Sequence, residues 1–432
     1  MHQPNVLFKQ AKPIGGGYDG TRQLDIRIRE GNISEIGQNL NPEPSSEHVV
    51  EGEGAYISPG WMDMHVHLRE PGFEQKETIE SGCKAATFGG FTAVACMPNT
   101  NPAIHTRDMA EFVIQRALPY PVHVYPIGAV SKDRKGKNLV EMADMKDGGA
   151  VAFSDDGDPV YDPQMMRLAL EYASMLGMPI INHEEVLSLS RPGHMNEGRV
   201  ATRLGVEGSP GIAEEVMISR DIMLAEFCDA HVHIAHMSTA KGVELVRQAK
   251  KRGIRVTAEV CPHHFDLTED EIERRSFDSN CKMHPPLRTE GDRQAMVEGL
   301  ADGTVDAICT DHAPHTPEEK EVEFIYAPNG IIGLETAWPV AVKRLLDEGH
   351  LSLGQLVSKL VDAPRNILNI PVPTIEEGAE ANLTLFNTGE EWEYTEEQVH
   401  SRSLNSPYLD QKLKGRAQAT YNKQYLTINS LS

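Results

Sequence analysis

The feature that most constrains the fold is an alternation of short apolar runs and helical stretches through the middle of the chain. Eight apolar runs of strand length follow one another, at residues 55–64, 91–97, 122–127, 150–153, 179–182, 231–235, 254–260 and 305–310. Patterns typical of helices fall between them, as at residues 163–176, 213–227 and 241–251. Repeated strand-helix units build parallel sheets. Eight of them predict an α/β fold of the (β/α)8 TIM-like barrel type.

The two ends of the chain carry a different pattern. Residues 6–56 contain short alternating segments, such as Leu24-Asp-Ile-Arg-Ile-Arg, separated by Gly and Pro clusters. A similar texture returns after Pro371, for example in Ala381-Asn-Leu-Thr-Leu-Phe. Alternation of this kind predicts strands. We therefore expect a small β-sandwich domain formed by residues 1–57 and 371–432, and a barrel formed by residues 58–370.

Charge and composition exclude several classes of partner. The net charge of -23 repels phosphate backbones and anionic lipid, so we predict no nucleic-acid and no membrane binding. No apolar segment reaches transmembrane length, and the first residues lack the pattern of a targeting signal. The six cysteines are scattered without close pairs, which is typical of reduced thiols. A cytoplasmic location follows as the expectation.

Residues able to bind a metal follow several of the predicted strands. In barrels of this type the chemistry lies at the carboxyl ends of the strands, where the loops meet. A single His-x-His pair is a weak signal, because His231-Val-His233 has the same spacing by chance. The alignment of ligand types with strand ends is stronger, and it comprises His65, His67, Asp155, Asp156, His183, His236 and Asp311.

Two histidines and one carboxylate per ion, with positions left open for water, are typical of catalytic zinc. Six such side chains predict two zinc ions that share an anionic bridging ligand. Either Asp155 or Asp156 can provide that bridge, and either can instead be a turn residue ahead of Gly157. Asp311 can contact both a metal and the attacking water, so we predict that it acts as general base and general acid.

Three polar residues are candidates for substrate binding. Arg69 lies two residues beyond the His-x-His pair and can hold a carboxylate through two parallel hydrogen bonds. Asn99 offers a donor and an acceptor, although it can equally be a turn residue. His315 closes the segment Thr310-Asp-His-Ala-Pro-His, and its alternative is a surface loop position. We assign no function to His123, His263 and His264.

Four motifs occur in order along the chain: His65-Val-His-Leu-Arg-Glu-Pro-Gly, Met97-Pro-Asn-Thr, Phe153-Ser-Asp-Asp-Gly and Asp311-His-Ala-Pro-His. With them, the sequence resembles the amidohydrolase superfamily and, within it, the dihydroorotases of the longer bacterial type. The similarity runs through the whole predicted barrel, while the predicted β domain is only loosely characteristic.

The resemblance implies an activity and a set of site residues. Dihydroorotases catalyse the reversible, zinc-dependent cyclisation of N-carbamoyl-L-aspartate to (S)-dihydroorotate and water in de novo pyrimidine (UMP) biosynthesis. The implied ligands of two zinc ions, with Asp156 as the bridge and Asp311 as the proton-transferring residue, are His65, His67, Asp156, His183, His236 and Asp311. The implied substrate contacts are His67, Arg69, Asn99 and His315. Candidate partners are further copies of the chain and aspartate transcarbamoylase.

The sequence departs from the family at two positions that normally help to hold substrate. The usual Asn-Pro-Pro-Leu-Arg appears as His284-Pro-Pro-Leu-Arg, and a typical Phe-Gly appears as Asn329-Gly330. His284 can still donate one hydrogen bond. The metal ligands carry no such departure.

Two alternative functions compete with this hypothesis. Related hydantoinases, dihydropyrimidinases and allantoinases usually bridge their metals with a carboxylated lysine, and residues 149–156 contain no lysine. Their neutral rings also have no carboxylate for Arg69. The second alternative is a catalytically inactive dihydroorotase-like partner of aspartate transcarbamoylase. Such proteins lose ligand residues, whereas this chain keeps all six.

Overall fold

The computed structural model describes residues 2–43 and 47–429. The remaining residues, 1, 44–46 and 430–432, belong to the predicted small domain and lie outside the described residues. The strands are β1 Val6–Gly15, β2 Tyr18–Asp19, β3 Leu24–Arg29, β4 Asn32–Gly37, β5 His48–Glu51, β6 Tyr56–Pro59, β7 Trp61–Val66, β8 Phe91–Cys96, β9 His123–Gly128, β10 Ala152–Phe153, β11 Ile180–Asn182, β12 Met195–Asn196, β13 Gly208–Ser209, β14 Val232–Ile234, β15 Val256–Val260, β16 Ala307–Ile308, β17 Leu383–Tyr394, β18 Gln411–Asn422 and β19 Tyr425–Ile428.

The α-helices are α1 Ile79–Phe88, α2 Arg107–Ala117, α3 Met142–Asp147, α4 Pro163–Met175, α5 Leu187–Ser190, α6 Arg199–Leu204, α7 Ile212–Cys228, α8 Ala240–Lys251, α9 Pro262–Asp266, α10 Asp270–Arg274, α11 Glu290–Asp302, α12 Pro317–Lys320, α13 Ala337–Ala341 and α14 Leu353–Ile367. The three helices predicted from sequence correspond to α4, α7 and α8. Within the described part of the chain, no helix combines the length and the apolar character needed to cross a bilayer.

Eight strands form one parallel sheet, in the order β16-β15-β14-β11-β10-β9-β8-β7. A parallel bridge joins Val66 to His312, and the backbone amide of His67 donates to the carbonyl of His312 at 2.9 Å. These contacts link the first strand to the segment after the last one, so the sheet is a nearly closed barrel. The predicted α/β barrel is confirmed, and each predicted apolar run overlaps one of its strands.

The first predicted run differs from the structure, because residues 55–64 hold parts of two strands. β6 pairs with β1 and β17 in another sheet, while β7 begins the barrel. Gly60 separates them at a point of close packing, since a Cβ there would lie 1.9 Å from Asn382 Oδ1 and 2.1 Å from Thr92 Oγ1. Both strands are apolar and only one residue divides them, so hydrophobicity alone does not reveal the boundary.

Strands from both chain ends form a nine-stranded sheet, in the order β19-β18-β17-β6-β1-β3-β4 with β2 and β5 paired to β1. The two ends meet where β6 and β17 run antiparallel, with Ile57 opposite Leu385. Apolar side chains such as Phe8, Ile26 and Tyr421 form its core. The predicted joint β structure of the two ends is confirmed, while its division from the barrel at residues 57 and 371 stays a prediction.

Apolar packing fills the barrel and leaves its mouth for polar groups. Met64, Ala95, Ile127 and Ile181 belong to one buried cluster contributed by successive barrel strands. A larger cluster lies between the strands and the surrounding helices, and it includes Leu170 on α4. A barrel packed in this way has no pore. Chemistry therefore has to take place where the strands end.

Candidate metal centre and substrate pocket

Ligand-type side chains converge on Asp156 at the carboxyl end of the barrel strands. Asp156 Oδ2 lies 3.5 Å from Nε2 of both His65 and His67. Asp156 Oδ1 lies 3.5 Å from His236 Nε2 and 3.8 Å from His183 Nδ1. Each oxygen of the carboxylate thus faces its own pair of histidines. This is the arrangement expected of a carboxylate that bridges two metal ions.

Asp311 completes the first of these two groups. Its Oδ1 lies 2.9 Å from His67 Nε2 and 3.6 Å from His65 Nε2. The potential ligand atoms of His65, His67 and Asp311 all lie within 4.8 Å of one another. The structure therefore brings together the six side chains that the resemblance assigns to the metals.

Unpartnered polar atoms show that this group fits a metal. Among the described residues, His65 Nε2, Asp156 Oδ1 and His236 Nδ1 are buried without a hydrogen-bond partner. A buried polar atom left unpaired costs about 1–3 kcal/mol, so such atoms usually have a partner. Imidazole and carboxylate groups are suitable ligands for zinc and related divalent ions. The cluster is therefore a candidate site for divalent metal.

Two hydrogen bonds orient the paired histidines toward Asp156. His65 Nδ1 lies 2.6 Å from Glu259 Oε1, and His67 Nδ1 lies 2.8 Å from Asn99 Oδ1. A ring that donates from Nδ1–H to such an acceptor can offer its Nε2 lone pair to a metal, which is how metal-ligating histidines are usually held. Asn99, predicted to contact substrate, therefore also orients a candidate ligand.

The carboxylates of the two neighbouring aspartates, Asp155 and Asp156, point in different directions. Asp155 Oδ1 accepts the backbone N–H groups of Val130 and Ser131, at 2.9 and 3.0 Å. Asp156, by contrast, faces the histidines. Asp155 thus holds the segment after β9, and its carboxylate is occupied by those bonds.

Electrostatics keep the two acidic ligands ionised. Burial favours a neutral Asp311, but the hydrogen bond from His67 and the charge of His65 outweigh it and lower the pKa of Asp311 to about 2. Burial likewise opposes ionisation of Asp156, yet the charge of His65 and the hydrogen bond from His236 hold its pKa well below its usual value. Two carboxylates are therefore negative at neutral pH, as a pair of dications requires.

Three site residues adopt a backbone conformation that L-amino acids rarely take. His236, Asp311 and Arg69 have φ angles of 30°, 48° and 61°. A side chain in this left-handed region costs on the order of 1–3 kcal/mol and is found mainly where the surrounding fold enforces it. The fold thus holds these three side chains of the site in a constrained backbone conformation.

The metal cluster opens into a cavity of about 290 Å³. All the predicted substrate residues line it: His67, Arg69, Asn99, His284, His315, Asn329 and Gly330. Arg69 Nε donates to the carbonyl of Pro314 at 3.2 Å. Across residues 2–43 and 47–429, no carboxylate pairs with Arg69 within 4.0 Å. Burial lowers the pKa of Arg69 to about 10, so its guanidinium is charged at neutral pH and can receive an anion.

His284 occupies a position where the resemblance expects asparagine. Its Nε2 lies 2.9 Å from Glu185 Oε1, and the other oxygen of Glu185 lies 3.5 Å from His183 Nε2. The rings of His284 and His183 are stacked, with centroids 5.1 Å apart. Glu185 therefore connects a candidate metal ligand with a candidate substrate contact.

His315 also lines the cavity, as a neutral imidazole. Burial and the nearby charge of Arg69 lower the pKa of His315 to about 3. Its Nε2 lies 2.9 Å from the carbonyl of Asn329, and its Nδ1 lies 3.4 Å from Lys76 Nζ. The same Nδ1 also lies 3.1 Å from Glu319 Oε2. His315 thus joins two of the loops that surround the cavity.

Sequence reasoning missed two carboxylates of this site. Glu259 interrupts the apolar run of β15. A lone acidic residue in a buried strand is the signal from which it could have been predicted. Glu185 follows His183 by two residues, with no other mark in the sequence. The rings of His231 and His233 both bond to Thr257 Oγ1 at 2.8 Å, and His233 Nε2 lies 3.4 Å from Glu259 Oε2, on the side of Glu259 that does not contact His65.

Comparisons with known proteins agree with this geometry. Residues 54–242 match the family described as Dihydro-orotase-like. A dihydroorotase of Syntrophus aciditrophicus is 48% identical over 412 residues, which cover 95% of this chain and 96% of the relative. A dihydroorotase of Geobacter sp. (strain M21) is 46% identical over 420 residues, covering 97% and 98%.

Solved structures show the same fold. An L-hydantoinase from Arthrobacter aurescens has a TM-score of 0.86 at 23% identity, covering 99% of this chain and 96% of the neighbour. A dihydropyrimidinase from Brevibacillus agri has a TM-score of 0.83 at 21% identity, covering 98% and 95%. Fold and site define a cyclic amide hydrolase of the amidohydrolase superfamily. Within that class, the chain belongs to the dihydroorotase family.

Proposed function

We propose that the chain interconverts N-carbamoyl-L-aspartate and (S)-dihydroorotate, with zinc as its metal. The observation that carries the proposal is the placement of a free guanidinium, Arg69, on the same cavity as the Asp156 cluster. The cluster suits amide chemistry, and the guanidinium suits the carboxylate that dihydroorotate carries beside its ring amide. In the cell, ring closure serves de novo pyrimidine biosynthesis.

The proposed metal ligands form two sets that share Asp156. The first set is His65, His67 and Asp311, and the second is His183 and His236. These residues would hold two divalent ions, which would supply polarisation of an amide carbonyl and a lowered pKa for a water molecule. Glu259 and Asn99 orient the first pair of histidines through their Nδ1 atoms.

Asp311 moves the proton in this scheme. In the hydrolytic direction, the water oxygen bonds to the ring amide carbon while the Asp311 carboxylate accepts the proton. The carbon–nitrogen bond then breaks, and Asp311 returns that proton to the leaving nitrogen. A carboxylate with a pKa of about 2 is present as the base at neutral pH. Ring closure follows the same steps in reverse.

Residues that line the cavity orient the substrate. Arg69 binds the substrate carboxylate, while Asn99, His284, His315, Asn329 and Gly330 surround the rest of the molecule. Hydantoins, dihydropyrimidines and allantoin are neutral rings that leave Arg69 without an anion, so we expect them to react poorly. An inactive binding protein is disfavoured because all six ligand side chains are present and converge.

The test is turnover by purified, zinc-loaded protein. We expect activity on dihydroorotate and N-carbamoyl-aspartate, and little on hydantoin or allantoin. Asp311→Asn retains an oxygen ligand but loses the base, so turnover should fall to background while zinc content, measured by atomic absorption, stays near wild type. Unchanged activity in this variant would exclude the proposed proton transfer. Faster turnover of hydantoin than of dihydroorotate would exclude the proposed substrate.

We further propose a cytoplasmic location and two kinds of assembly for this chain. Five of the six free cysteines are buried and none forms a disulfide within the described residues, which supports the reducing cytoplasm. A homo-oligomer and a complex with aspartate transcarbamoylase stay predictions. Size-exclusion chromatography of the protein alone, and mixed with aspartate transcarbamoylase, tests both.

A further inference from the structure

The connection between β17 and β18 reaches the barrel mouth, although both strands belong to the nine-stranded sheet. Ser401 Oγ donates to Glu77 Oε2, and Ser403 Oγ donates to the carbonyl of Lys76 at 2.7 Å. Asn405 follows two residues later. This connection therefore brings the carboxyl-terminal part of the chain against the segment after β7.

Asn405 uses its whole side chain to join two loops of the cavity. Its Oδ1 accepts the backbone N–H of His315 at 3.1 Å. Its Nδ2 donates to the carbonyls of Ala313 and Gly330, both at 3.0 Å. Its own carbonyl accepts the N–H of Ile332 at 3.0 Å. Asn405 is 4% exposed, so these bonds are shielded from water.

The two loops are packed so closely that there is no room for a side chain at Gly330. A Cβ on Gly330, whose φ is 129°, would lie 2.7 Å from Ala313 Cβ and 3.3 Å from His315 Cδ2. Lys320 also bonds to both loops, because its Nζ donates to the carbonyl of Gly330 at 3.1 Å and its backbone N–H donates to the carbonyl of Thr316 at 3.2 Å. Asn405 bonds to both loops through one rigid amide.

From these contacts we infer that Asn405 is a positioning residue for substrate binding, which sets the distance between the adjacent residues His315 and Gly330 on the cavity wall. The inference rests on the proposed function, since it assigns that distance to dihydroorotate and N-carbamoyl-aspartate. The cluster of candidate metal ligands depends less on Asn405, because a different side chain holds the backbone next to Asp311. Asp63 accepts the N–H of Thr310 at 3.1 Å, directly before Asp311.

A matched control lies in β18. Asn422 is 1% exposed, and its Nδ2 also donates to two barrel carbonyls, those of Thr92 and Pro121, both at 3.1 Å. Thr92 and Pro121 lie at the amino-terminal side of the barrel strands, away from the cavity. Replacement of either asparagine by leucine removes two buried donations from Nδ2, and Asn405→Leu also removes the acceptor for the N–H of His315, so both variants should lose stability.

The experiment compares Asn405→Leu with Asn422→Leu in the zinc-loaded full-length protein. We measure KM and kcat for both substrates, zinc content, and the thermal midpoint. Asn405→Leu should raise KM about tenfold, the equivalent of one or two lost hydrogen bonds, with a smaller change in kcat and normal zinc. Asn422→Leu should lower the thermal midpoint with KM unchanged.

Asn405→Asp serves as a second variant, because it keeps the size of the side chain and the acceptor for His315. It replaces the donor to Ala313 and Gly330 with an oxygen, so KM should rise in this variant also. Equal KM values in wild type and in any soluble Asn405 variant would overturn the inference while leaving the proposed function intact. Absence of turnover in the wild type would instead refute the proposed function, and the inference with it.

Discussion

The two halves of the active site are built differently. The metal half consists of side chains at or directly after barrel strands, and its four histidines lie within 4 Å of Asp156 or Asp311. The substrate half consists mostly of loop residues, and it is held together by backbone carbonyls and by Asn405 from a distant part of the chain. The difference lies in which part of the fold fixes each side chain.

This contrast has a physical basis. A strand end is fixed by the hydrogen-bond ladder of the sheet, so a ligand placed there points at the mouth whatever the loops do. A loop has no ladder and needs added bonds to hold one position. The metal half should therefore fail by losing metal, and the substrate half should fail by losing affinity with metal retained. The following four predictions test that division.

The largest effect should come from Asp156→Asn. Removing the charge that we propose bridges two dications should lower both zinc content and kcat, with kcat falling about 1,000-fold or more. Its neighbour provides the control, since Asp155→Asn keeps an oxygen for the N–H groups of Val130 and Ser131. Zinc analysis and kinetics on both variants decide the matter. Greater zinc loss in Asp155→Asn would show that the bridge is assigned to the wrong aspartate.

Arg69→Gln should damage the substrate half alone. Losing one partner of a partly buried charge pair should raise KM roughly 100-fold. Arg69→Lys should recover only part of the affinity, because an ammonium lacks the two parallel donors of a guanidinium. Zinc content should stay at the wild-type value in both variants. A wild-type KM for dihydroorotate in Arg69→Gln would remove the carboxylate contact from the proposal.

Glu259→Gln should weaken metal binding without direct contact to the metal. The amide oxygen can still accept from His65 Nδ1, but one of the two negative charges that raise the pKa of His65 against burial, Asp156 and then Glu259, is gone. Loss of an outer partner of a metal ligand typically costs 10- to 100-fold in affinity, and we expect about 10-fold here. Competition with a zinc chelator measures it. Unaltered zinc affinity would place Glu259 outside the metal half.

The smallest effect should come from His284→Asn. It introduces the residue that the resemblance expects, and asparagine can supply one hydrogen bond at the same place. We expect KM to change by no more than about threefold, with zinc retained. Steady-state kinetics of this variant and of Glu185→Gln show whether the two act together. Loss of zinc in His284→Asn would mean that His284 belongs to the metal half.

More of the metal half than of the substrate half could be predicted from the sequence. His65, His67, His183, His236 and Asp311 follow predicted strands, and strand position alone directs them to one mouth. Glu259 was missed because it lies within an apolar run that was interpreted only as a buried strand. Asn405 was missed for a stronger reason, since it lies 90 residues from His315 along the chain. Local patterns carry no information about such a pairing.

The sequence by itself determined the barrel, the joint β structure of the two ends and the ligand types at the strand ends, because period and composition follow from local physics. The tertiary structure decided which aspartate faces the histidines, which residues orient them and where β6 gives way to β7. It also placed Asn405 between two loops of the cavity. These outcomes depend on the direction of side chains and on contacts between distant segments, and both are set only when the whole chain packs.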